Sequence, residues 1–144
     1  MPAPDASPNV KKLQVAYREW NDSRGESVQQ WLDLMCDDVR MTSLSDGNAG
    51  MEFTKALTGK EQAKNYFNEL RATWEMLYFH ADEFIEQGDR VVMLGRCSFK
   101  SKLTGKSAES PKADFFRFRD GKIVEYFDFY DTAKAYAAAT PDPT

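Results

Sequence analysis

The chain of 144 residues holds one histidine, His80, and two isolated cysteines, Cys36 and Cys97. It has no Cys-x-x-Cys pair and no His-Glu-x-x-His motif, so neither a metal site nor a cofactor is called for. The cysteines lie far apart inside apolar patterns and read as small buried hydrophobes rather than a disulfide. No apolar run approaches the roughly 20 residues needed to span a bilayer. The opening MPAPDASPNV lacks the basic and hydrophobic parts of a signal peptide, so a cytoplasmic protein with no membrane partner is expected. Net charge is −4, and Lys and Arg are scattered rather than striped, which argues against a nucleic-acid partner.

The chain does carry 42% hydrophobic and 13% aromatic residues within a mixed-sign charged surface, enough for one compact domain over 1–144. Proline and small polar residues at both ends place its core at about 8–139. Ser7-Pro8 reads as an N-cap with proline at the first helical position, and Val10, Leu13, Tyr17 and Trp20 follow near the 3.6 period. Val28, Trp31, Leu32 and Met35 suggest a short second helix, and DVRMTSL a first strand. Thr58-Gly-Lys-Glu61 matches a capping box opening a third helix with Ala63, Tyr66, Phe67, Leu70 and Trp74 on one face. From Glu75 the period falls to two, and Gly-containing breaks mark a four-strand antiparallel meander, followed by an alanine-rich terminal helix. Helices first and sheet last imply an α+β fold.

The stretch ADFFRFRDGKIVEYFDFYD concentrates the functional signal. A three-residue turn at Arg119-Asp120-Gly121 would set Phe116 opposite Val124, Asp114 opposite Tyr126 and Lys112 opposite Asp128. Asp114, Tyr126, Asp128 and Tyr130 then share a face, whereas a two-residue turn would send Asp114 to the other one. Carboxylates among aromatic rings are costly unless they meet a partner or hold a proton. Asp131, just before Thr132, reads as a helix cap. The last strand is apolar on both faces, with Val124, Tyr126 and Tyr130 on one and Ile123, Phe127 and Phe129 on the other. The outer face therefore needs cover, and a homodimer through the sheet is expected.

The element order, the entry LDLMCDDVRMTSL and the closing FFRFRDGKIVEYFDFYDTA resemble a SnoaL-like domain of the nuclear transport factor 2-like superfamily, from about Val10 to Ala138. That resemblance implies a cone-shaped, cystatin-like α+β fold, with N-terminal helices on a curved, mainly antiparallel sheet around a pocket for a small hydrophobic molecule. Relatives include ketosteroid isomerases, polyketide cyclases and limonene epoxide hydrolases. By the isomerase pattern, Asp114 takes the place of the proton-donating acid, Tyr126 and Tyr130 line the pocket, Ser43 stands where the base would be, and Tyr17 falls one residue from the oxyanion-hole tyrosine. By the epoxide hydrolase pattern, Asp128 and Arg96 match an aspartate and the arginine, with Ser98 where the second aspartate would be. By the cyclase pattern, His80, grouped by alternation with Tyr78, Asp82 and Phe84, is the candidate histidine. The resulting candidates are Asp114, Asp128 and His80 for catalysis, and Tyr17, Trp31, Ser43, Arg96, Phe116, Tyr126 and Tyr130 for binding. The expected activity is acid/base isomerase, cyclase or hydrolase-type chemistry on a hydrophobic or cyclic substrate; the alternative is a non-catalytic binder of a small apolar ligand.

Overall fold

A computed structural model describes residues 6–143. The helices are α1 (Pro8–Asp22), α2 (Val28–Leu34), α3 (Lys60–Thr73) and α4 (Thr132–Ala139). The strands are β1 (Met35–Ser43), β2 (Leu57–Thr58), β3 (Trp74–Gln87), β4 (Arg90–Ser101), β5 (Ser107–Arg119) and β6 (Lys122–Phe129). They form one sheet in the order β2-β1-β6-β5-β4-β3, antiparallel except for the β1–β6 pair. The fold is therefore α+β, with helices packed on a mainly antiparallel six-stranded sheet.

Local chemistry explains the helix boundaries. Ser7 Oγ accepts a hydrogen bond from the Val10 amide with Pro8 next to it, a cap worth about 1 kcal/mol. Asp131 caps α4 through the Lys134 amide. The capping box expected at Thr58–Glu61 does not form. Gly59, at φ 94°, precedes α3, while Thr58 belongs to β2 and its amide donates to Gln62 Oε1. An extended Thr58 is held by pairing with Arg40 and cannot also cap the helix.

The β5–β6 hairpin turns over two residues rather than the three expected from sequence. Asp120 (φ 51°) and Gly121 (φ 77°) form a two-residue turn, the pattern of a type I′ hairpin. Arg119 pairs with Lys122 and Phe118 with Ile123, after which a register shift lets Arg117 pair with Glu125. The extra residue, Val124, is a β-bulge. The short turn would flip every side chain to the wrong face, and the bulge flips them back. Asp114 thus lies opposite Asp128, and Phe116 opposite Tyr126, on one face after all. Ile123 joins that buried face, and Phe127 and Phe129 remain on the other.

The core lies between sheet and helices. Leu13, Ala16, Tyr17 and Trp20 of α1, Trp31 and Leu32 of α2 and Phe67 of α3 meet Val91, Met93, Phe116 and Ile123 of the sheet. Fully burying a side chain such as Phe116 contributes about 1.5–3 kcal/mol.

Candidate functional site

Strand register assembles the site in rows across the sheet. Ser43 of β1, Asp128 of β6, Asp114 of β5 and Met93 of β4 are successive neighbours in one row. Met41, Tyr126, Phe116 and Val91 form the next. Lys112 precedes Asp114 by two residues, so the strand period turns it to the same face, opposite Gly95.

Three charged side chains converge there. Asp114 is 1% exposed, Asp128 6% and Lys112 8%. The Lys112 ammonium donates to Asp114 Oδ1 and to Asp128 Oδ1. The Tyr17 hydroxyl donates to Asp114 Oδ2 at 2.5 Å, and the Tyr126 hydroxyl to Asp114 Oδ1 at 3.2 Å. Ser43 Oγ donates to Asp128 Oδ2 at 3.3 Å and lies 3.0 Å from the Tyr130 hydroxyl, which also meets Ser45 Oγ. Because the single Ser43 proton goes to Asp128, Tyr130 donates to Ser43 and Ser45 to Tyr130. Lys112, Tyr17, Tyr126 and Ser43 thus surround the two carboxyl groups with hydrogen-bonding partners.

The hydroxyls around them hold their protons. Burial, followed by the charge of Asp114, pushes the Tyr17 and Tyr126 phenols well above their ordinary value. Burial likewise raises Tyr66, and it pushes the Cys97 thiol up to about 11. These groups are donors at neutral pH, not bases or thiolate nucleophiles.

The cluster forms one wall of a cavity of about 130 Å³. The other walls are almost entirely apolar: Trp31 from α2, Tyr66, Phe67 and Leu70 from α3, Met51 and Phe53 from the loop before β2, and Trp74, Phe79, Cys97 and Phe99 from β3 and β4. Trp31 lies parallel to Phe116, with ring centres 6.2 Å apart, and meets the Tyr17 ring edge-on at 5.0 Å. This packing locks the rings that orient the Tyr17 hydroxyl.

Of the residues singled out from sequence, Asp114, Asp128, Tyr17, Trp31, Phe116, Tyr126 and Tyr130 line this cavity, and Ser43, buried beside Asp128, does not. His80 and Arg96 do not reach it. Arg96 pairs with Asp82 at 3.2 Å on the surface, not with Asp128. His80 stacks on Tyr78 and lines a separate groove between α1 and β3. A bulge between Ala81 and Glu83 also breaks the alternation that grouped His80 with Phe84, whose ring packs 6.0 Å from Tyr17. Lys112 was missed as a site residue, although its spacing from Asp114 carried the signal. Among the described residues, no group of three or more His, Cys, Asp or Glu side chains is placed to hold a metal ion. No helix among them is long and apolar enough to cross a membrane.

The profile of the SnoaL-like domain matches residues 15–126. The chain belongs to the SnoaL-like domain family. Among solved structures, a nuclear transport factor 2-like protein of unknown function from Burkholderia pseudomallei is 25% identical, with 94% of this chain and 99% of that one covered and a TM-score of 0.82. TerC, co-crystallised with polyporic acid, is also 25% identical, covering 92% and 98% at a TM-score of 0.78. A protein described as a SnoaL-like polyketide cyclase from Jannaschia is 20% identical over 99% of both chains, with a TM-score of 0.76. No curated protein matches the sequence. These SnoaL-like and nuclear transport factor 2-like neighbours share the sheet and helix arrangement described above.

Proposed function

We propose that this SnoaL-like protein takes a small hydrophobic or cyclic molecule into the cavity and moves a proton on it, as an isomerase, cyclase or hydrolase-type enzyme of the cytoplasm. The observation that carries this reading is the convergence of Lys112, Asp114 and Asp128, each less than 10% exposed, on an otherwise apolar cavity. Buried ionisable groups gathered in a cleft are a feature of functional sites. Asp128 is the base: its Oδ2 has only the long Ser43 bond, so it retains accepting capacity. Asp114, saturated by Tyr17, Tyr126 and Lys112, takes the one proton each phenol can donate and so fixes the orientation of both rings in the cavity wall. The co-crystallisation of TerC with polyporic acid supports a small-molecule ligand for this kind of pocket.

The same saturation of Asp114 favours a second reading, in which the cluster only orients a bound apolar ligand and no reaction occurs. A thermal-shift screen with sterols, terpenes, polyketide-like aromatics and fatty acids, followed by mass spectrometry of the hits, separates the two. General acid/base roles contribute about 10²–10⁴-fold, so Asp128→Asn should lower turnover of a converted hit by at least about 100-fold while leaving the protein folded. Undiminished turnover removes Asp128 from the chemistry, and binding without conversion favours the second reading.

The homodimer belongs to the same proposal. Phe127 and Phe129 stack at 4.4 Å on the outer sheet face, where Phe129 is 38% exposed. A second copy covers these rings, and a monomer by light scattering at micromolar concentration overturns that assembly.

A further inference from the structure

We propose that the ligand of the cavity is a hydrophobic organic cation, a tertiary or quaternary ammonium on an apolar or ring frame, seated against Asp128. This rests on reading the cavity as a small-molecule site and adds the class of molecule.

Charge balance is the first observation. Two carboxyl groups share one ammonium, so with both ionised the Lys112, Asp114 and Asp128 cluster has one more negative charge than positive. Buried charge without a partner is strongly unfavourable in a wall otherwise made of carbon. A neutral ligand leaves the excess unmet, and an anion adds to it.

The excess is localised. Asp114 accepts from three donors, Lys112, Tyr17 and Tyr126. Asp128 accepts from two, and the one on Oδ2 is a neutral hydroxyl at 3.3 Å. The under-satisfied oxygen of the cluster is therefore Asp128 Oδ2.

The aromatic walls supply the rest. Ring faces attract cations, with tetra-alkylammonium groups the best-fitted ligands of such boxes. The protein already uses this force on its own cation: Lys112 Nζ stands 5.9 Å from the Phe79 ring centre and 5.7 Å from that of Tyr130. The volume of about 130 Å³ is roughly ten times what a single water needs, which suits a ring-sized frame rather than a bare ion.

The test compares three molecules of similar size: phenyltrimethylammonium, its uncharged counterpart tert-butylbenzene, and the anion benzenesulfonate. Binding to the full chain is read from the fluorescence of Trp20, Trp31 and Trp74, all of which line the cavity. The expected result is affinity for phenyltrimethylammonium at least ten-fold above that for tert-butylbenzene, with benzenesulfonate weakest. Asp128→Asn, which brings the cluster to neutrality, should reduce the cation-to-neutral ratio at least ten-fold. Equal or tighter binding of the neutral molecule, preference for the anion, or a ratio unchanged in Asp128→Asn overturns the proposal. Binding of tert-butylbenzene alone overturns the cation and leaves the small-molecule pocket standing, whereas no binding of any of the three counts against both.

Discussion

Replacing Lys112 by Met removes the cation between two buried carboxylates while keeping most of the apolar stem. Asp114 and Asp128, paired across neighbouring strands, then face one another with only hydroxyl donors around them. Breaking a buried ion pair by removing one partner costs about 3–5 kcal/mol, because the remaining charge is left uncompensated. Here one substitution strands two carboxylates, so a loss near the upper end, about 5 kcal/mol, is expected from a total that is about 5–15 kcal/mol for ordinary domains. The triple variant Lys112→Met, Asp114→Asn, Asp128→Asn leaves no buried charge unpaired and should fall within about 2 kcal/mol of the parent. Urea unfolding followed by tryptophan fluorescence reads the parent, Lys112→Met, the double variant Asp114→Asn, Asp128→Asn and the triple variant, and these four close the cycle that gives the coupling. A Lys112→Met protein within about 1 kcal/mol of the parent would show that the ammonium does not sit between the carboxylates. A triple variant worse than the single one would refute the electrostatic reasoning.

Three further outcomes follow from the same geometry. Tyr17→Phe removes a hydrogen bond to a charged acceptor and should cost about 1.5–3 kcal/mol in denaturation, and an unchanged midpoint would mean the bond is not made in solution. Because Tyr17 and Tyr126 have folded-state values raised above their unfolded ones, their contribution is intact below about pH 10 and lost as pH rises further. Together they give a fall of about 3 kcal/mol per pH unit, to which Tyr66 adds about 1.4, with Cys97 acting in the same direction up to about 11. Urea midpoints measured from pH 8 to 11 test this, and a flat profile contradicts it. A Cβ at Gly95 would lie 2.0 Å from the His80 carbonyl oxygen, a backbone atom that cannot rotate away, so Gly95→Ala should destabilise by about 3 kcal/mol or more. Stability like that of the parent would contradict the close approach of β3 and β4.

Helix α1 was legible because Ser7, Pro8 and a 3.6-residue apolar period all point to one element. The meander of β3 to β6 was legible from alternation and glycine-containing turns. The parallel pairing of β1 with β6 was not, since it joins segments far apart in the chain, yet that pairing carries Ser43 to Asp128. The face shared by Asp114, Tyr126 and Asp128 was reached from sequence through the wrong turn. Asp-Gly fits either a two- or a three-residue connection, and nothing local reveals that Val124 would bulge to restore the phase. His80 and Arg96 were drawn toward the site by family patterns, whereas the bulge between Ala81 and Glu83 and the Asp82 ion pair hold them elsewhere. Lys112 shows the reverse case: its spacing placed it inward, but a lysine beside a proline on a strand reads as surface until its two carboxylates are seen.

The central claim is that the carboxylate–lysine cluster faces a ligand. Its most direct test is a titration of the ¹⁵N-labelled full chain with phenyltrimethylammonium and, separately, tert-butylbenzene. The backbone amides of Lys112, Asp114 and Asp128 and the indole signals of Trp31 and Trp74 should shift together and saturate with at least one of the two. Shifts confined to Gln14, His80 and Phe84 in the α1–β3 groove, or to Phe127 and Phe129 on the outer face, would contradict it, as would no shift at all.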